Sequence, residues 1–62
     1  MMPDETIENG TLSFAFETLG GHVHVTVRAG TVPGQRALAG RLVLSPSEAD
    51  ELRALVRRGA RV

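Results

Sequence analysis

The chain contains no cysteine, so no disulfide can brace it and no thiolate metal site can form. Tryptophan and tyrosine are missing too, and Phe14 and Phe16 are its only aromatics. Lysine is absent, so all seven cations are arginine. Long apolar runs are lacking; none approaches the roughly 20 residues a membrane-spanning helix needs. Nothing resembles a secretory leader, and a cytoplasmic location is the default expectation. With 62 residues the chain makes one domain at most, close to the lower limit for unaided folding.

A hydrophobic content of 42% separates the chain from compositionally disordered sequences. Its net charge is zero, but the charges are segregated. Residues 1–27 carry four acids and no cation, while residues 28–62 carry seven arginines and three acids, leaving halves of −4 and +4. Arginine without lysine, beside many Ala, Gly and Val, fits a GC-rich coding sequence. The guanidinium fork also suits carboxylate or phosphate recognition.

Residues 1–10 are polar and acidic around a lone Ile7 and read as a flexible tail. Within them Asn9-Gly10 is a hairpin signal that would set Ile7 opposite Leu12 in a short extra strand. From Thr11 to Leu19 the residues alternate, with Leu12, Phe14, Phe16 and Thr18 on one face. Gly20-Gly21 interrupts, and His22 to Ala29 alternates again, with Val23, Val25, Val27 and Ala29 aligned. A two-residue turn at Gly20-Gly21 pairs Leu19 with His22, Thr18 with Val23, Phe16 with Val25, Phe14 with Val27 and Leu12 with Ala29. Both apolar sets then share one face, which a one-residue slip would destroy.

Gly30 to Arg36 reads as a loop turning at Pro33-Gly34. A third strand follows at Ala37 to Leu44, with Leu38, Leu42 and Leu44 inward and Ala39, Arg41 and Val43 outward. Gly40 falls on the inward face, where the missing side chain would admit a close helix. Ser45-Pro46-Ser47-Glu48 announces that helix as a capping box with proline in first position. Ala49, Leu52, Leu55 and Val56 form its apolar stripe, Asp50 supports Arg53 at i,i+3 spacing, and Gly59 is a natural stop. The expected fold is α+β: a three-stranded antiparallel sheet on one C-terminal helix, β-β-β-α, over residues 11–59, with 60–62 as a tail.

The outward sheet face carries Glu17, Leu19, His22, His24, Thr26, Arg28, Arg41 and Val43, with Ala15 and Ala39. Nothing in the chain is available to cover it, so it is either solvated or an interface. Homodimerisation would enlarge a thin single-layer core. His22 and His24 share that face with Glu17, a donor set that suits a metal; a Glu17–His24 cross-strand pair accounts for the same residues. No serine, histidine and acid are brought together by the pattern, and no cofactor motif is present, so a non-enzymatic protein without cofactors is expected. A sheet followed by a helix is also the layout of DNA readers that lay the sheet in the major groove. In that alternative Arg28 and Arg41 would meet phosphates or guanine edges. Arg53, Arg57, Arg58 and Arg61 make a second basic series, which as a solvated helix face needs no ligand.

The stretch from Gly20 to Gly30, continuing through Ala37–Leu44 and Glu48–Leu52, resembles short proteins of actinobacteria and especially of their bacteriophages. The resemblance covers about residues 20–56 and rests on pattern, with no catalytic motif. It implies provenance, with the host cytoplasm as location if phage-encoded, and the binding of a host or phage protein. It carries no functional residues across. The sequence therefore leads to a small protein-interaction module, dimeric, with nucleic-acid binding as the alternative.

Overall fold

The computed structural model describes residues 3–32 and 34–58. In them β1 (Glu5–Asn9), β2 (Leu12–Leu19), β3 (His22–Ala29) and β4 (Ala37–Leu44) form an antiparallel meander, followed by α1 (Pro46–Arg58). The α+β class and the C-terminal helix are as expected; the sheet has one more strand than three. Gly59 and the tail 60–62 lie outside the described residues, as does Pro33.

The central hairpin follows directly from the alternation. Its register runs from Leu19↔His22 through Phe16↔Val25 to Leu12↔Ala29, the pairing that puts both apolar sets on one face. Gly20 and Gly21 both have positive φ, +59° and +81°, the requirement of the type I′ turn that matches strand twist.

Residues 5–9 are a strand and not part of a tail. The hairpin signal at Asn9-Gly10 placed the strand correctly but its register wrongly. Asn9 pairs with Leu12 and Ile7 with Phe14, so Gly10 and Thr11 make the turn, with Gly10 at φ +62°. Positive φ at the first central residue alone is the type II′ pattern. Asp4 extends the strand: its N–H donates to Phe16 O (2.8 Å), and its carboxylate accepts from Thr18 N–H (2.8 Å).

β4 pairs antiparallel with β3, as expected, at Val23↔Leu44, with Val25↔Leu42 and Val27↔Gly40 following in register, but Arg28 then faces Leu38. Ala39 is the extra residue of a β-bulge, and the bulge reverses every side chain before it. Leu38, expected inward, consequently stands beside Arg28 on the outer face and is half exposed. Alternation alone cannot register a bulge.

The capping box forms as read. Ser45 Oγ accepts from Glu48 N–H (3.3 Å) and Glu48 Oε1 accepts from Ser45 N–H (3.0 Å), while Ala49 N–H opens the helical ladder on Ser45 O. The face turned to the sheet is Ala49, Leu52, Arg53 and Val56; Leu55 is not on it and is exposed. Arg53 takes the place expected of an apolar side chain. The helix starts beside Leu44 of β4 and ends where Asn9 Nδ2 donates to Val56 O (3.3 Å), so it crosses its face of the sheet diagonally towards β1. Phe16, Val23, Val25 and Ala49 form the buried core, edged by Ile7, Phe14, Val27, Leu44 and Leu52. Gly40 does not admit a close helix: nothing lies within 4 Å of where its Cβ would stand.

Candidate functional site

A sheet with one helix has one uncovered face, and residues opposite each other in the ladder share it. That face holds Glu17↔His24, Leu19↔His22, Thr26↔Arg41 and His24↔Val43 as neighbours, so the predicted outer-face residues are brought together. Arg28 stands between Ser13 and Leu38 on the same face. It borders two shallow depressions of about 310 and 270 Å³, one shared with Glu8, Ser13 and Arg36, the other with Ala15, Glu17 and Thr26. Each mixes an arginine with a glutamate, so neither presents a site of one charge.

The arginines divide by what already holds them. Arg53 lies over Phe16, its guanidinium carbon 4.8 Å from the ring centroid, an arrangement worth about 0.5–2 kcal/mol. Its Nη1 donates to Asp50 Oδ1 (2.9 Å), and its Nε stands 2.9 Å from Glu5 Oε1, too bent for a hydrogen bond but an ion pair. Arg57 pairs with the other oxygen of Glu5. β1 thus supplies a carboxylate between two helix arginines, and the basic helix series is not a free surface. Of its members Arg58 is exposed, and Arg61 lies outside the described residues.

Arg36, to which the sequence reading gave no role, is the most enclosed arginine that forms ion pairs, with its side chain only 7% exposed. It donates to Gly30 O (2.9 Å), Leu12 O (3.2 Å) and Gly10 O (3.0 Å). The guanidinium fork ties the β1–β2 turn to the β3–β4 loop, with Glu8 3.9 Å away. The one visible signal was an arginine closing a Pro-Gly loop.

No group of three or more His, Cys, Asp or Glu able to hold a metal ion occurs among the described residues. Glu17 and His24 are in register, and His22 stands across from Leu19.

The two sheet edges differ. β1 is five residues long, with Glu5 and Glu8 along it and Pro3 before it. Charges, proline and shortness are devices that keep an edge from pairing. β4 is eight residues long with Arg41 its only charge. Exposed large apolar side chains lie along it: Leu38 (50%), Leu42 (46%) and Val43 (60%); Leu55 (62%) is exposed on the helix. Leu55 is about 160° round the helix from both Arg53 and Arg57. Those two point to β1, so Leu55 lies on the flank away from it. Exposed leucines were invisible to periodicity, which assigned Leu38, Leu42 and Leu55 to the core.

No protein-family model, curated protein or solved structure matches this chain.

Proposed function

We propose that the protein is a small non-enzymatic interaction module, of the phage accessory type, that binds another protein by strand addition at β4. The observation that carries this is the asymmetry of the edges: one is short and charged, the other long, apolar and open. In β-augmentation, main-chain hydrogen bonds of the edge supply affinity and alternate side chains supply selection. Val43, Arg41 and Leu38 are the outer-face selectors here, with Thr26, His24, Arg28 and His22 of β3 behind them and Glu17 and Leu19 of β2 one strand further. Nucleic-acid binding finds less support, because Arg36, Arg53 and Arg57 are already engaged within the chain and Arg28 stands beside Glu8 and Glu17.

The experiment is affinity capture from the chain's own host with the intact protein and with Val43→Lys, which charges the edge while leaving the core untouched. A defined protein partner retained by the first and lost by the second is the expected result. Equal retention by both overturns strand addition at β4. Salt-sensitive DNA binding weakened by Arg28→Ala or Arg41→Ala would favour the nucleic-acid alternative instead.

A further inference from the structure

The diagonal course of the helix leaves part of its own side of the sheet bare. Beginning at the Leu44 end of β4 and finishing over Asn9 of β1, it moves away from the Gly40 end of β4. There Leu42 is nearly half exposed and the space above Gly40 is open. We propose that a second copy of this chain closes this corner, with β4 pairing antiparallel to the partner's β4 about a two-fold axis at Leu42. The inference rests on β4 being the docking strand and names what fills it in the free protein, the second copy being what a host partner's strand displaces.

Three observations select a second copy and this register. The bulge at Ala39 leaves Gly40–Leu44 as the regular part of the edge, and Leu42 is its midpoint. Centred there, every residue meets one of its own face: Gly40 meets the partner's Leu44, and Arg41 meets the partner's Val43. Centring on Arg41 would oppose two like charges, which destabilises a ladder; centring on Val43 would leave Gly40 unpaired. Antiparallel pairing also brings the partner's Leu44 end, where its helix begins, beside the bare Gly40 corner. Each helix start then covers what the other helix leaves open, the reciprocity of a closed two-fold interface. The outcome is an eight-stranded sheet with both helices on one side.

The monomer's need points the same way. Its buried hydrophobic residues are Phe16, Val23, Val25, Ala49 and Val56, a small core for a chain without disulfides. A five-residue strand pair, with Leu42 and the helix starts closing over the two Gly40 corners, buries on the order of 1,000 Å² over both copies, the threshold of a specific interface.

Sedimentation equilibrium of the whole chain at micromolar concentration should give twice the 6.6 kDa mass. Val43→Lys, facing the partner's Arg41, should weaken the dimer roughly tenfold; Val43→Glu, facing the same arginine, should keep or tighten it. Leu42→Cys should oxidise to a covalent dimer. Val43→Cys should not, because the two positions are displaced by one pair and stand about 7–8 Å apart, beyond disulfide reach. Circular dichroism confirms that each variant is folded. A folded wild type that stays monomeric, yet loses its host partner on Val43→Lys, overturns self-pairing and leaves strand addition standing. A dimer indifferent to Val43→Lys overturns self-pairing at β4, and a dimer that cross-links through Val43→Cys in place of Leu42→Cys overturns the register.

Discussion

Arg36 shows how one side chain can hold two loops. Its three carbonyl acceptors belong to the β1–β2 turn, the start of β2 and the β3–β4 loop just after β3. Arg36→Met should destabilise the fold by about 1.5–3 kcal/mol, the range for hydrogen bonds to a charged group, measured by urea unfolding. Arg36→Lys should recover little, since an ammonium lacks the planar fork that serves separate acceptors. Gly40 is the opposite case: a strand glycine with open space above it and no need of positive φ. Gly40→Ala should therefore stabilise by about 0.4–1 kcal/mol through the unfolded chain's lost freedom, read in the same denaturation experiment.

At the scale of elements, α1 depends on its first turn and β1 depends on α1. Ser45→Ala should cost about 0.5–2 kcal/mol, as a lowered urea midpoint. The Ser45 backbone N–H, and secondarily its hydroxyl, hold the Glu48 carboxyl below its ordinary value. A folded-state pKa below the unfolded one gives stability that is present above the unfolded pKa and lost as pH falls through the folded pKa. The unfolding midpoint should therefore fall on acidification through the carboxylate range, and Glu48→Gln should flatten the part due to this group. β1 is secured by side chains far away in sequence: Glu5 to Arg53 and Arg57, and Asn9 to the helix end. Such partners cannot be read from a five-residue segment with one apolar residue, which is why residues 1–10 look like a tail in the sequence.

At the scale of the whole molecule, a sheet of four strands is covered on one face by a single helix of 13 residues. Three exposed large apolar side chains, Leu38, Leu42 and Val43, lie along one edge. If a second copy covers that edge, thermal stability is coupled to concentration by mass action. The midpoint should rise measurably across a hundredfold increase in protein concentration, and Val43→Lys should abolish that rise.

The central hairpin, β4 and the helix were legible in the sequence because their information is local. Period-two alternation, a Gly-Gly turn and a capping box each lie within a few residues, and register follows once two apolar faces must coincide. What the tertiary structure decided was non-local. The bulge that turns Leu38 outward exists only in the pairing of β3 with β4. Arg53 faces the core because Phe16 and Glu5 receive it there, and with Arg53 turned to the sheet Leu55, far round the helix from it, is left exposed. The outer face was predicted except at Leu38 and Ala39, which the bulge moves; the open edge beside it appears only when the strands are laid side by side, since a free edge is a property of strand order and not of any one strand's sequence.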